Sequence, residues 1–484
     1  MDQVFDVAII GGGINGCGCA ADAALRGLSV VLFEKDDLAS KTSSSSTKLI
    51  HGGLRYLENY QFGLVKKALE ERHTLLQLAP HIVHQQSFIL PYESHMRPAW
   101  LIRLGLFFYD HLSRKNHLPK CRSIHRSHKN AYFKPLIDSL KRGYLFYDAA
   151  TDDARLTIIN ALQAKNHGAD IRPHSLVTRT KPVANQWQLN IQPKQGSAYT
   201  VRAKTLINAS GPWVEATEDK TLTLVKGSHI VVPQIYPGKH AYLLQHSDKR
   251  VVFVIPYHGY SMIGTTEVPF TDDLDKVCIS EEEITYLTGV VNSYFKASIK
   301  PQDVVYSWSG VRPLLADKDS EYRTLSRDYS FQFEQGPAPK ITIFGGKITT
   351  YRQLAEDIID QLKIVFPNLH PSISKHSPLP GALNFTQYLH YAKEHYNWLG
   401  NELLHRYLYT YGTCMETFMA PCTHFTDMGK QFAENLYQVE VDYLRTQEWA
   451  ETVDDILERR TKLIFDTDLK ERQELEHYLT ESRL

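Results

Sequence analysis

The chain has 484 residues, 43% hydrophobic and 22% charged, which suits a folded protein with a large core and excludes disorder, collagen and coiled-coil arrays. Lys plus Arg and Asp plus Glu both count 54, so no net field would draw the molecule to nucleic acid. Six cysteines, with no CxxC pair and no ligand-like grouping with histidine, predict free thiols in a reducing cytosol and no metal site. The N-terminus lacks a basic n-region and no run of about 18 apolar residues occurs, so neither a secretory signal nor a membrane span is expected.

At roughly 150 residues per domain, about three domains are expected. Residues 5–10 predict a strand that feeds Gly11-Gly12-Gly13-Ile14-Asn15-Gly16 and then a small-residue helix. Gly11 permits the tight turn, Gly13 lets the backbone approach a pyrophosphate, and Gly16 lets the helix pack on the strand. The helix start at Ile14 and Asn15 offers unpaired N–H groups to phosphates. A second strand, 29–33, ends at Glu34, whose carboxylate can accept both hydroxyl hydrogens of a ribose. Strand, turn, helix, strand and acid together predict a dinucleotide site against an empty glycine turn, but they do not separate NAD from FAD.

The tract Thr42-Ser43-Ser44-Ser45-Ser46-Thr47 is either a solvated loop or a row of hydroxyls lining a polar ligand. Two later strands also run into glycine turns, at 206–212 and 341–346. Ligands in parallel sheets lie beyond the carboxyl ends of strands, so three ends could converge on one cofactor. The expected fold is therefore α/β (α+β). A Rossmann-like discontinuous cofactor domain takes 1–90, 145–215 and 305–366, and a β-rich cap lobe takes 91–144 and 216–304. Prolines at 367, 371, 378 and 380 lead into a helical domain, 380–484, with helices over 388–409 and 432–479. Residues 97–142 hold eleven Lys and Arg against two acids, and Trp100, Leu101, Leu104, Phe107, Phe108 and Leu112 fall at helical spacings. That pattern fits either a helix docked on an anionic membrane surface or a core helix followed by a solvated basic loop.

Several stretches resemble the FAD-dependent glycerol-3-phosphate dehydrogenases, within the D-amino-acid-oxidase-like flavoproteins. They are TSSSSTKLIHGGLRYLE from residue 42, RPAWLIRLGLFFYDHL from 97, NASGPWV from 208, KGSHIVVP from 226, SGVRPL from 309, SRDY from 326, FGGKITTYR from 344 and DDILERRTK from 454. The resemblance implies FAD held by Gly11, Gly13, Ile14, Asn15, Gly16, Glu34 and Lys35. It adds Thr42, Ser43, Ser45, Ser46, Lys48, Leu49, His51 and Gly52, then Val177, Ala209 and Gly211, and finally Gly346, Lys347, Thr349 and Thr350. It implies a phosphate pocket of Arg55, Tyr56, Arg312, Arg327 and Lys347, with Arg312 also taking part in catalysis. His229 and His51 compete for the proton of the substrate alcohol, His229 ranked as the substrate neighbour and His51 as packed near the flavin. The implied reaction is oxidation of glycerol 3-phosphate with electrons passed to a membrane quinone, by a peripheral protein on the cytoplasmic side of the membrane, compatible with a homodimer. A soluble oxidase using oxygen, and a catalytically silent flavin-binding scaffold at a membrane surface, remain the alternatives.

Overall fold

The computed structural model describes the chain except for residues 1–3, 55–56, 58–59, 128–129, 215–220, 317–328 and 482–484. Two sheets organise it. The first has strands Val4–Ile10, Val30–Phe33, Asp170–Arg172, Tyr199–Asn208 and Lys340–Phe344 in parallel, with Val4–Ile10 between Tyr199–Asn208 and Val30–Phe33. Strand Ser330–Glu334 closes one edge in antiparallel fashion, and the hairpin of Ser175–Val183 and Gln186–Pro193 pairs onto Tyr199–Asn208. Central strands buried on both faces read as continuous apolar runs, as Val7, Ala8 and Ile9 do at 0% exposure.

Helix Ile14–Leu25 is buried along most of its length because Gly16, Gly18, Ala20, Ala21, Ala23 and Ala24 present almost no bulk. It fits between helices Asp153–Asn166 and Tyr351–Gln361. A Cβ on Gly18 would meet the Tyr351 ring at 2.8 Å, so that close approach depends on glycine.

Among the described residues the second sheet has ten strands, with Thr221–Pro233 paired to both Tyr306–Ala316 and Tyr260–Gly264. It also takes in Leu49–Ile50, Val83–Pro91 and Arg142–Thr151. The sequence reading placed most of these segments, and residues 306–316, in the cofactor portion. Of these, Leu49 and residues 310–314 border the cavity described below while pairing within the second sheet, and that pairing leaves no local trace in sequence.

The C-terminal region is helical but more broken than expected. The helix expected over 388–409 is two, Phe385–His395 and Asn401–Tyr411, interrupted at Gly400 with φ +76°. In place of continuous helix from 432, a short hairpin, Gln431–Ala433 with Leu436–Tyr437, precedes helix Gln438–Glu448, a π-helical turn Asp455–Arg460 and helix Leu469–Glu481. Trp449 and Lys462, both at positive φ, end the preceding helical segments. Its apolar core, built around Tyr407, Met415, Leu444 and Ile456, is separate from those of the two sheets.

Helix Ala99–His111 is not a core helix. It buries Leu106 and Tyr109 and leaves Trp100 68% and Phe107 55% exposed, with Leu104 and Phe108 also in solvent beside Tyr60 and Phe62. Tyr109 is its anchor, accepting the Gly52 N–H at 2.9 Å and donating to Asp148 at 2.7 Å. Among the described residues no helix is long and apolar enough to cross a membrane.

Candidate functional site

A cavity of about 480 Å³ opens where the expected strand ends meet. Its first wall is the glycine turn. Gly11 has φ +109°, and a Cβ on Gly16 would stand 1.9 Å from the Gly11 carbonyl oxygen, so both the turn and the helix behind it require glycine. A Cβ on Gly13 would come within 2.9 Å of Ser43 Oγ, which accepts the Ile14 N–H at 2.9 Å. Glu34 ends the second strand in the cavity wall and accepts from the Gly12 N–H at 2.7 Å and the Asp36 N–H at 2.9 Å. Burial raises its carboxyl above the ordinary range, against those two bonds. Asn15 Nδ2 donates to the Gly345 carbonyl at 3.1 Å, joining the first glycine turn to the third.

The hydroxyl tract is a built wall rather than a solvated loop. Thr42, Ser43, Ser45, Ser46 and Thr47 all line the cavity, and each hydroxyl has a partner. Asp153, fully buried at the start of its helix, organises the tract by accepting from Ser46 Oγ and from Lys48 Nζ, each at 2.7 Å. Lys48, at φ +58°, also reaches the Ser44 carbonyl at 2.9 Å and lies 4.8 Å over the Trp308 ring.

Arg312, from strand Tyr306–Ala316, and Lys347, after Gly345 and Gly346 at φ +69° and +103°, both line the cavity. A Cβ on Gly227 would approach Arg312 Nη2 to 3.3 Å, so the guanidinium is packed against that glycine. Lys347 precedes a single 3₁₀ turn, Ile348–Thr350, and helix Tyr351–Gln361, whose start faces the same region. His51 lines the cavity too, its N–H donating to Thr349 Oγ1 at 3.2 Å.

His229 is not among the residues that line the cavity. It is 0% exposed and stands behind the wall, its Nε2 2.9 Å from Thr47 Oγ1 and its ring stacked on Trp308 at 5.5 Å. A Cβ on Gly264 would fall 2.0 Å from its Cδ2, which shows how tightly it is enclosed. Burial, reinforced by Arg312 and Lys48, pushes its pKa far below the ordinary value and leaves a neutral imidazole. Of the two histidines, His51 borders the cavity and His229 reaches it through Thr47.

Leu49, Lys35, Val177, Ala209, Gly211, Gly346 and Thr349 also line the cavity, whereas Gly16, Lys48, Gly52 and Thr350 stand behind its walls. Arg55, Tyr56 and Arg327 lie outside the described residues. Sequence reasoning missed Asp153 and Trp213, whose ring lies 4.3 Å from Lys35 Nζ. An acid opening a helix 105 residues away carries no local mark of its contact with Lys48.

A backbone turn with no room for side chains, a carboxylate at the end of the second strand and a hydroxyl-lined extension suit an elongated dinucleotide rather than a compact ligand. Residues 6–352 match the family described as FAD dependent oxidoreductase, and residues 372–480 match the C-terminal domain of alpha-glycerophosphate oxidase. The chain is 45% identical to the glycerol-3-phosphate dehydrogenase of Pseudomonas aeruginosa over 96% of this chain and 92% of that one. It is 42% identical to the aerobic glycerol-3-phosphate dehydrogenase of Escherichia coli and to the D-erythritol 1-phosphate dehydrogenase of Brucella abortus, each over 95% of this chain and 94% of its own. Among solved structures, the glycerol-3-phosphate dehydrogenase from Bacillus halodurans complexed with FAD matches with TM-score 0.75 at 26% identity, covering 99% of this chain and 89% of that one. The cofactor is FAD, and the chain belongs to the FAD-dependent glycerol-3-phosphate dehydrogenase family within the FAD-dependent oxidoreductases.

Proposed function

We propose that the protein oxidises sn-glycerol 3-phosphate to dihydroxyacetone phosphate and passes the electrons to a membrane quinone. The observation that carries the substrate assignment is that Arg312, Lys347 and His51 line the same cavity as the glycine turn and Glu34. FAD, when bound, supplies the hydride acceptor. The turn at Gly11, Gly13 and Gly16 would hold its pyrophosphate and Glu34 its ribose. Arg312 and Lys347 bind the phosphate dianion; the guanidinium fork fixes its orientation and so aims the carbinol C–H. His51 accepts the hydroxyl proton at a ring nitrogen, and neutral His229 holds the Thr47 hydroxyl in the wall of the same cavity.

The Brucella relative points to a four-carbon polyol phosphate as the competing substrate. The test is anaerobic: purified yellow protein should bleach on addition of glycerol 3-phosphate, with D-erythritol 1-phosphate less effective and glycerol without effect. Absence of bleaching by glycerol 3-phosphate overturns the assignment. Peroxide yield measured against quinone reduction separates the dehydrogenase from an oxidase.

The quinone assignment is supported by the exposed apolar face of Trp100, Leu104, Phe107 and Phe108 and by exposed Arg114, Lys115, Lys120 and Arg122 in the segment that follows the helix. Exposed aromatic and aliphatic side chains followed in the chain by cations suit the headgroup boundary of an anionic bilayer, where a quinone dissolves. Sedimentation with anionic liposomes should weaken with salt and with Arg114→Glu/Lys115→Glu/Lys120→Glu. A parent protein that ignores liposomes removes the membrane assignment.

A further inference from the structure

The motif DDILERRTK is absorbed by neither the cavity nor the exposed helix. It forms the π-helical turn Asp455–Arg460 and the residues after it, and four of its side chains make three grips on segments that lead into the walls of the cofactor cavity.

The first grip is on the loop after the second strand. Arg460 is fully buried and takes Asp37 in a two-pronged contact, Nη2 to Oδ1 at 2.8 Å, while the same nitrogen donates to the Glu448 carbonyl at 2.7 Å. Arg459 Nε adds a contact to Asp37 Oδ2 at 2.7 Å. Asp37 is 3% exposed, and among the described residues these two arginines are the cations paired with it. It is three residues past Glu34, in a loop whose next residues, Ala39 to Lys41, line the cavity. The Ala39 N–H donates to the Gly12 carbonyl at 3.1 Å, tying this loop to the glycine turn.

The second grip is Glu458, which accepts from Tyr306 Oη at 2.8 Å at the start of the strand that carries Arg312. The third is Lys462, 3.2 Å from Asp152, the residue that caps the helix opened by Asp153. Asp153 in turn holds Ser46 and Lys48. Carboxylates of Asp37 and Asp455 also converge near His174, but Arg459 contacts both acids, so their positive partner is already a guanidinium.

We propose that the C-terminal domain sets the affinity for FAD through this clamp, residues 458–462 acting as positioning residues that never reach the cavity. A carboxylate buried without its cation is strongly destabilised, so loosening the domain forces the loop around Asp37 to open toward water and moves Glu34 with it. Coupling of this kind is reciprocal: docking strengthens FAD binding by the same factor by which FAD strengthens docking. The inference rests on FAD as the cofactor and is independent of the substrate.

The test uses the full chain stripped of FAD, with Arg460→Met and Arg460→Lys. FAD affinity is read by flavin fluorescence titration, and domain docking by the rate of protease cleavage in the connection 367–380, with and without FAD. Arg460→Met should raise the FAD Kd at least tenfold and Arg460→Lys less, because the charge survives without the fork. FAD should slow cleavage of the parent and lose that effect in Arg460→Met, while KM for glycerol 3-phosphate at saturating FAD stays within twofold. An FAD Kd within twofold of the parent in a variant whose connection is cleaved faster overturns the proposal, as does parent cleavage indifferent to FAD. If Arg460→Met does not fold, Arg459→Gln, which leaves Arg460 on Asp37, is judged by the same two readings. The titration contains no substrate, so failure of the substrate assignment would leave this result standing.

Discussion

Neutralising Asp153 should unsettle the hydroxyl wall far more than its position behind the cavity suggests. The carboxylate is 0% exposed and accepts from Lys48 Nζ at 2.7 Å, Ser46 Oγ at 2.7 Å, the Ser46 N–H at 3.1 Å and the Ala154 N–H at 2.9 Å. In Asp153→Asn the amide keeps the shape but leaves the buried Lys48 ammonium without its counter-charge. Removing one partner of a buried ion pair costs about 3–5 kcal/mol. Lys48 retains the Ser44 carbonyl, the Trp308 face and the field of Asp152, so the loss should fall near the lower end, about 3 kcal/mol. Lys48→Met removes the stranded charge, and Lys48→Met/Asp153→Asn should therefore cost less than the sum of the single changes by at least about 1.5 kcal/mol. Urea unfolding followed by tryptophan fluorescence gives the stabilities, and flavin titration gives the accompanying loss of FAD affinity. A cost under about 1 kcal/mol for Asp153→Asn, or additive single changes, would refute the reasoning.

The remaining predictions address the turn, the phosphate and the histidines. Gly16→Ala should abolish FAD binding, because its Cβ would meet the Gly11 carbonyl oxygen at 1.9 Å, whereas Gly289→Ala, in open space on helix Glu281–Tyr294, should stabilise the protein by about 0.5–1 kcal/mol. Equal effects of the two on flavin titration would contradict the cradle. Arg312→Lys keeps the charge and loses the fork, so kcat/KM for glycerol 3-phosphate should fall by about 2 kcal/mol of transition-state stabilisation at normal flavin content; an unchanged value would remove Arg312 from the substrate. His81, His229 and His240 are buried, and burial lowers each pKa, to about 3 for His81 and about 4 for His240. The native state therefore refuses protons that the unfolded chain binds below about pH 6.5, so stability is intact above that value and declines as the pH falls through it. Three such groups should together cost about 4 kcal/mol by pH 5.5, and a urea midpoint that is flat between pH 7.5 and 5.5 would count against it.

The parts legible in sequence are those whose physics is local. The turn from Gly11 to Gly16 could be read because steric demands at each position select glycine, and Glu34 because it ends the next strand. The run from Thr42 to Thr47 showed its composition but not its purpose: the partners that hold it, Asp153, Val311 and His229, stand 107 to 269 residues away. His229 lies in the segment of the matched motif but behind Thr47, because register against Gly264 and Trp308, invisible in one strand alone, decides which way a strand residue is enclosed. Helix Ala99–His111 was ambiguous for the opposite reason: an apolar stripe is the same whether a core or a solvent boundary meets it. Gly400 could have warned of the break in the C-terminal helix, whereas the positive φ at Trp449 and Lys462 had no glycine to announce it.

The distance along the chain between Asp37 and Arg460, 423 residues, has a consequence for biosynthesis. A ribosome adding about 5–20 residues per second needs on the order of 20–80 s to make the second arginine after the aspartate. Throughout that interval the loop beside Glu34 lacks its cations, and until strand Lys340–Phe344 is made the Leu206–Asn208 end of the first sheet also lacks its partner. The contact of Arg460 with that loop is therefore among the later ones the growing chain can make. The nascent chain passes through a period of exposed sheet edge, in which aggregation competes with closure and chaperone protection matters most.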